Sequence, residues 1–192
     1  YALKANLFKY NAGVTYSLTP GTIYQFPVNS IRLNYQYDTR IPGQELLFTQ
    51  PDNLFLSFKR GPDDKLFLNK TIKAELLNEF ENHFSYLAGY SFTRQSPLGN
   101  IHFTTNDYSS YENDISHINI SELFLNLRYA PNESFYQGKI YRFPFPGKDP
   151  VIQLKTAFGS KSINNDYDYI RLQLNISRRY YVSVIGYTDI MV

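Results

Sequence analysis

The chain has 192 residues, a net charge of +2, 43% hydrophobic residues and no cysteine. The lack of cysteine excludes a disulfide framework and a thiolate metal site. The mild charge, with no basic run, excludes the strongly basic surface that nucleic-acid partners require. The 15 phenylalanines and 18 tyrosines are residue types that favour β-strands. The composition therefore predicts an all-β protein without a nucleic-acid partner.

No segment approaches the roughly 20 consecutive apolar residues of a transmembrane helix. The strands of a membrane barrel carry apolar residues only at alternate positions, so a long apolar run is not expected of them. The sequence excludes a spanning helix and leaves open both a soluble all-β protein and a transmembrane barrel.

Residues 10–18 form the first patterned segment, with apolar side chains at every even position and small or polar ones at every odd position. Strands of soluble proteins are usually about five to six residues long, whereas a tilted strand needs roughly nine to eleven residues to cross a bilayer. The length of this segment therefore favours a membrane strand.

The same alternation recurs along the chain, and turn-forming residues such as Pro20-Gly21 and Pro42-Gly43 separate the segments, which predicts antiparallel neighbours. With three weaker segments included, we predict about nine strands. The strong segments are residues 10–18, 31–38, 84–93, 123–129, 152–159 and 170–177, and the weaker ones are residues 54–59, 66–76 and 181–188.

Residues 72–84 also fit a helical stripe through Ile72, Leu76 and Phe80, in a stretch rich in helix-forming residues. We prefer the strand interpretation because the neighbouring segments are strands. Two connections are long, residues 94–120 and residues 130–150, and long connections in a small domain usually have a function.

Within the predicted strands, one face is apolar and the other holds polar residues, cations and glycines such as Gly13, Gly89 and Gly159. Glycine weakens a soluble sheet but suits a curved barrel wall. Aromatic residues near strand ends, such as Tyr10 and Tyr16, resemble the girdles of membrane barrels. A soluble β-sandwich gives the same alternation, but these features favour an antiparallel transmembrane β-barrel.

Four cations on the predicted polar face are expected to face the lumen of such a barrel: Arg32, Arg128, Lys155 and Arg171. They either bias the lumen toward anions or pair with acidic residues such as Asp38 and Glu122 to fill it. We prefer the second interpretation.

Three stretches carry a resemblance to a known family: residues 29–45 (NSIRLNYQYDTRIPGQE), 121–135 (SELFLNLRYAPNESF) and 166–179 (DYDYIRLQLNISRR). They resemble a bacterial outer-membrane family of unknown function. Its members join an N-terminal carboxypeptidase-regulatory-like domain to a C-terminal barrel related to the surface-antigen barrels of BamA and its relatives. The resemblance implies that residues 1–192 are an internal portion of one larger outer-membrane barrel domain.

The resemblance also implies membrane lipid and other outer-membrane proteins as partners. Members of the wider superfamily insert or translocate polypeptides and use a loop with an Arg-Gly-aromatic signature. In this chain Arg60-Gly61 is followed by Pro62, which argues against an insertase-type activity.

Catalytic, metal and cofactor sites are not expected. The three histidines, His83, His102 and His117, lack metal-ligand spacing. The last two flank an acidic stretch with Asp107 and Glu112 that could hold a divalent cation, but a solvated polar loop is the better interpretation. No Gly-x-Ser-x-Gly nucleophile elbow occurs, and residues 159–162 are predicted to be a hairpin turn rather than a phosphate-binding loop.

The sequence thus predicts an outer-membrane β-barrel protein with a structural, protein-assembly or translocation-associated role, and not an enzyme. Two alternatives remain. One is a passive solute pore. The other is a soluble β-sandwich that binds a carbohydrate-type ligand on an aromatic platform of Tyr141, Phe143 and Phe145.

Overall fold

The structure, a computed structural model, describes residues 9–20, 23–40, 65–99, 102–104, 114–145, 147–182 and 186–191. In these ranges the chain forms β-strands and a single short 3-10 helix, Lys161–Ile163. No helix in the described ranges is long and apolar enough to cross a membrane. The strands are Tyr10–Ser17 (β1), Asn29–Arg40 (β2), Lys65–Glu79 (β3), Phe84–Gly99 (β4), Phe103–Thr104 (β5), Asp114–Ile115 (β6), Ile118–Tyr129 (β7), Ser134–Gln137 (β8), Arg142–Phe145 (β9), Val151–Gly159 (β10), Tyr169–Tyr181 (β11) and Tyr187–Met191 (β12).

Eight strands form one antiparallel sheet in the order β1-β2-β3-β4-β7-β10-β11-β12. Each of these eight strands pairs with the next member of the sheet along the chain. The small hairpin β5–β6 is inserted between β4 and β7, and the hairpin β8–β9 between β7 and β10. The all-β fold class and the antiparallel pairing are therefore confirmed. Among the described residues β1 and β12 each have one neighbour, so the sheet is open at both edges.

The helical alternative for residues 72–84 is wrong. Residues 65–79 form β3, which pairs with β2 on one side and with β4 on the other. Two full ladders satisfy its backbone N–H and C=O groups, and this tertiary pairing overrides the helix propensity of residues 73–79.

Two other predicted boundaries need correction. The predicted strand 181–188 is wrong as a single element, because β11 ends at Tyr181 and β12 begins at Tyr187. Gly186 has a φ of 125°, which glycine adopts readily, and Val182 N–H donates to the Gly186 carbonyl at 2.8 Å. The predicted strand 54–59 lies outside the described residues.

The connections divide between two ends of the sheet. At the turn end, residues 18–28, 80–83, 130–150 and 182–186 make the connections. At the loop end, residues 41–64, 100–117 and 160–168 make the connections. The first long connection is thus shorter than predicted, because β4 continues to Gly99 and β7 begins at Ile118.

The register confirms the predicted two-faced character of the strands. Paired residues such as Val14 and Leu33, or Leu154 and Leu174, lie on one side of the sheet, which we call the apolar face. The opposite side is the polar face. Aligned rows of the apolar face contain only occasional polar residues, so the alternation seen in single strands extends across the sheet.

Burial on the two faces is the reverse of that in a soluble sheet protein. On the apolar face, Ile170 is 71% exposed and Leu172 is 68% exposed, whereas Asn175 on the polar face is 6% exposed. Among the described residues the only buried hydrophobic side chains are Val28, Ala130 and Ala157. Five buried polar residues share the polar face, namely Ser30, Asn69, Thr71, Ser91 and Asn175.

Glycines on the polar face make room for aromatic rings of the neighbouring strand. A Cβ on Gly159 would lie 2.6 Å from the ring of Tyr169, its direct partner, and a Cβ on Gly89 would lie 2.6 Å from the ring of Phe124. The ring of the paired residue covers the glycine backbone, an arrangement known as aromatic rescue. The glycines are therefore part of the packing of the polar face.

Candidate functional site

The β8–β9 hairpin lies against the polar face at the turn end of the sheet. It belongs to the second long connection, residues 130–150, for which the sequence predicts no regular structure. Phe135 pairs with Pro144 in the hairpin, and Gly138 N–H donates to the Tyr141 carbonyl at 2.9 Å. Proline lacks a backbone N–H and cannot extend the ladder, so the hairpin stays two strands wide.

An ion pair fixes this hairpin to the sheet. The guanidinium of Arg142 donates to both carboxylate oxygens of Glu79 at 2.5 and 2.7 Å. The second oxygen of Glu79 also accepts the backbone N–H of Val28 at 3.0 Å. The side chains of Glu79 and Arg142 are only 11% and 18% exposed. A bidentate, partly buried pair is among the stronger polar contacts in proteins.

Aromatic rings surround the guanidinium. The Arg142 Cζ atom lies 4.4 Å from the Phe135 ring centroid and 5.8 Å from that of Phe26. Phe26 stacks on His83 with 5.4 Å between centroids. Cation–π contacts strengthen as the cation loses water. These five residues, Glu79, Arg142, Phe135, Phe26 and His83, form a unit that we call the clasp.

A second ion pair lies beside the clasp. Arg128 donates to both carboxylate oxygens of Glu133 at 2.6 and 2.8 Å, and Glu133 is 6% exposed. Between the hairpin and the polar face is a cavity of about 390 Å³. Its charged lining residues are Glu79, Arg128, Glu133, Arg142 and Lys155.

The four cations predicted to face a lumen all lie on the polar face, and each has a partner. Arg171 and the Tyr169 hydroxyl both donate to the same oxygen of Glu122, at 2.9 and 2.8 Å. Arg32 lies 3.9 Å from Glu75, and Arg128 binds Glu133 as described. Lys155 takes part in an interaction on this face and borders the cavity.

Two acidic residues are predicted to pair with these four cations, and Glu122 does so whereas Asp38 does not. Glu122 pairs with Arg171, as expected. The Asp38 carboxylate instead lies 2.9 Å from the Lys9 ammonium and 3.8 Å from Arg40, both near the ends of their strands. The register brings Lys9 of the chain segment before β1 next to Asp38, and strand patterning alone does not give that alignment.

The histidines are dispersed. His83 has a φ of 62° in the turn between β3 and β4, and His117 Nδ1 is hydrogen bonded to Ser116 Oγ at 2.9 Å. His102 is exposed. No group of three metal-ligating side chains occurs in the described ranges, and Asp107 and Glu112 lie outside them.

Of the predicted hairpin turn 159–162, Gly159 is the last residue of β10, and residues 160–162 belong to the connection between β10 and β11. Ser160 caps the short 3-10 helix, and Asn164 closes it with a φ of 66°. The Asp168 carboxylate accepts the Lys161 backbone N–H at 2.8 Å. This hydrogen bond, assisted by the Ser160 hydroxyl, lowers the pKa of Asp168.

Sequence reasoning missed the clasp, because Glu79 and Arg142 are 63 residues apart and Arg142 belongs to a predicted loop. One signal was present in the sequence. Residues 141–145 alternate Tyr-Arg-Phe-Pro-Phe, which is a two-faced pattern with its cation on one side. Chemically, both carboxylates near the hairpin are occupied by bidentate guanidinium bonds, so this arrangement holds a structural element in place.

No protein-family model, curated protein or solved structure gives a significant match to this chain.

Proposed function

We propose that this chain forms part of the wall of a transmembrane β-barrel in a bacterial outer membrane, with the apolar face toward lipid and the polar face toward the lumen. The observation that carries the proposal is the reversed burial. Large apolar side chains such as Ile170 and Leu172 are exposed, while polar side chains such as Asn175 are buried. In water this arrangement leaves large apolar side chains exposed and loses the stabilisation that their burial would give. In lipid the same arrangement is favourable.

The height of the apolar face supports this location. On β3 the apolar-face residues between Lys70 and Asn78 are Ile72, Ala74 and Leu76. Eight residue steps at about 3.3 Å each give about 26 Å along the strand, or about 23 Å along the membrane normal at a strand tilt of roughly 30°, close to the roughly 25 Å apolar band of outer-membrane barrels.

The stagger of the strands supports a closed barrel. Val14 lies in the middle of β1, and the row of partners that starts there ends at Ile170, the second residue of β11. The middle of β11 is Asn175, so the strands shift by about five residues over six steps, a tilt of roughly 30°. Closed barrels require such a tilt, and typical values are roughly 35–45°. Further strands between β12 and β1 would complete the wall.

Within this barrel we assign a structural, assembly or translocation-associated role rather than that of an open pore. The polar face places Glu75, Glu122 and Glu133 against Arg32, Arg171 and Arg128. The clasp holds a hairpin over part of the same face. Paired charges and a folded-in hairpin fill a lumen instead of lining an aqueous channel. The resemblance to the outer-membrane family with a carboxypeptidase-regulatory-like domain agrees with this assignment.

The test uses the full-length protein. Membranes are separated on a density gradient, and the outer-membrane fraction is run on a detergent gel with and without boiling. We expect the protein in the outer-membrane fraction and a shift in migration on heating, as folded barrels show. Recovery as a soluble monomer without detergent would contradict the proposal and favour the β-sandwich.

If the protein is a barrel, conductance measurements distinguish the structural, assembly or translocation-associated role from a passive pore. We expect the purified protein to give no stable channels in a planar lipid bilayer. Regular single-channel steps would instead support the passive pore.

A further inference from the structure

One row of residues crosses five strands on the apolar face near the loop end. Its members are aromatic, cationic or amide side chains. Apolar positions such as Ile72 and Phe92 lie on its turn-end side, and on β3 and β4 the same face continues toward the loop end with Leu68, Leu66 and Leu98. We call it the interface row. It consists of Tyr10, Tyr37, Lys70, Arg94 and Asn119, each the direct partner of the next.

The two cations of this row directly oppose each other across β3 and β4. Directly opposed residues of an antiparallel pair have Cβ atoms about 4.5–5.5 Å apart, and like charges at such positions are destabilising. Both side chains are exposed. No carboxylate of the described residues forms an ion pair with Lys70 or Arg94, in contrast to Arg32, Arg128 and Arg171 of the polar face.

Neighbouring groups orient the pair without neutralising it. The Lys70 ammonium lies 5.7 Å from the Tyr37 ring centroid. Arg94 Nε donates to Asn119 Oδ1 at 3.1 Å, so the two terminal nitrogens of the guanidinium keep donors for another acceptor. Asp166 is the carboxylate on the adjacent connection, and it accepts the backbone N–H of Asn119 at 2.7 Å.

We propose that Lys70 and Arg94 bind a phosphate of a phosphorylated glycolipid in the outer leaflet of the membrane. A phosphate accepts paired donors from a guanidinium and attracts the ammonium as a point charge. It would also cancel the repulsion between the two cations. Tyr10 and Tyr37, in the same row, are residues that prefer the level of the lipid headgroups.

The choice of a glycolipid rests on the proposed function. Outer-membrane barrels place their longer connections outside the cell. Residues 41–64 and 100–117 connect strands at the loop end, whereas the longest connection of the turn end, residues 130–150, is held against the polar face by the clasp. The interface row then lies at the outer leaflet, which is rich in lipids with phosphorylated sugars. Lys139 and Lys148 belong to the connection between β7 and β10, at the turn end of the sheet.

The test measures binding of lipid A with two phosphates to the full-length protein in detergent, by native mass spectrometry. The double variant Lys70→Gln/Arg94→Gln removes both charges, and Lys139→Gln/Lys148→Gln is the matched control with the same change in net charge. Two interfacial cations correspond to about a thirtyfold loss of affinity in the first variant. We expect the control to bind as the natural protein does, and the charge-conserving Lys70→Arg to retain binding.

Equal binding by the natural protein and the double variant would overturn the inference. So would equal binding of phosphatidylglycerol and lipid A, because it would indicate a general response to anionic headgroups. Heat-modifiable migration of each variant reports folding separately. If the natural protein shows heat-modifiable migration but binds no lipid A, the inference fails and the proposed function stands. If it lacks heat-modifiable migration and membrane localisation, both fail.

Discussion

The clasp and the interface row differ in whether their cations pair with a carboxylate of the chain. In the clasp, Arg142 gives two hydrogen bonds to Glu79 and is enclosed by rings. In the interface row, Lys70 and Arg94 stand side by side, with no ion pair to any carboxylate in the described part of the chain. Both lie on or next to β3, on opposite faces and near opposite ends. The arginines Arg32, Arg128 and Arg171 of the polar face each pair with a carboxylate, as Arg142 does in the clasp, whereas Lys70 and Arg94 are the cations that we propose bind a ligand.

The largest expected effect comes from breaking the clasp. Glu79→Ala leaves the guanidinium of Arg142 without its partner in a half-buried site, and removing one member of such a pair typically costs about 3–5 kcal/mol. Urea unfolding of the refolded protein in lipid vesicles measures the loss. The control Glu81→Ala removes an exposed carboxylate two residues away and should change little.

A double-mutant cycle with Arg142→Ala sharpens this result. We expect the double variant to lose less stability than the two single variants together, because the second substitution removes the unpaired charge. Strictly additive losses would show that Glu79 and Arg142 do not act as a pair.

A charge introduced on the apolar face tests whether that face meets lipid or water. Leu172→Arg places a cation near the middle of the apolar band, at an expected cost of about 2–4 kcal/mol in a bilayer. Ile140→Arg is the matched control, since Ile140 is 73% exposed but belongs to the hairpin turn, away from the band. The same unfolding measurement applies. Similar small losses for both variants would indicate that water, not lipid, meets the apolar face.

Filling a glycine on the polar face is expected to have a smaller effect. Gly159→Ala forces the new Cβ against the Tyr169 ring, and overpacking of this kind costs about 1–3 kcal/mol. At Gly147 the nearest atom to an added Cβ is 3.5 Å away, so Gly147→Ala should be tolerated. The heating temperature at which gel migration changes compares the two variants. Equal temperatures would contradict close packing at Gly159.

The smallest expected effect concerns pH at the loop end. The Lys161 N–H bond lowers the folded-state pKa of Asp168 from its ordinary 3.8. The ionised carboxylate therefore stabilises the fold at pH values above the ordinary pKa of 3.8. This stabilisation is lost as the pH falls through the lower pKa of the folded state. Urea midpoints of the natural protein and Asp168→Asn should differ at pH 7, begin to converge below about pH 4, and coincide only below the lowered folded pKa. A difference that persists at lower pH would assign the effect to shape instead of charge.

The alternation of single strands was enough to predict much of this architecture. Because side chains alternate with a period of two, residues 10–18 and 170–177 revealed their apolar faces without knowledge of their neighbours. The same period placed Arg171 and Lys155 on the polar face. Two-faced strands with intervening turns also gave the antiparallel order.

Register and long-range contacts could not be obtained in this way. Lys70 and Arg94 meet only because β3 and β4 align residue by residue, although Lys70 is visible in the sequence as a cation interrupting the apolar series of residues 66–76. The clasp joins β3 to a hairpin that follows two further strands of the main sheet, β4 and β7. Pairing of Asp38 with Lys9 depends on the alignment of β1 and β2. Such contacts depend on tertiary geometry, which a single strand does not encode.

The meander order has a consequence for the time course of folding. Strands that pair with their sequence neighbours close short loops, so the sheet can grow one hairpin at a time at low entropic cost. The clasp is different, because Arg142 must find Glu79 across 63 residues of chain. We expect the hairpin to dock after β4 and β7 have paired. Formation of the clasp then marks a late stage of folding, at which the polar face of β3, β4 and β7 is already in place.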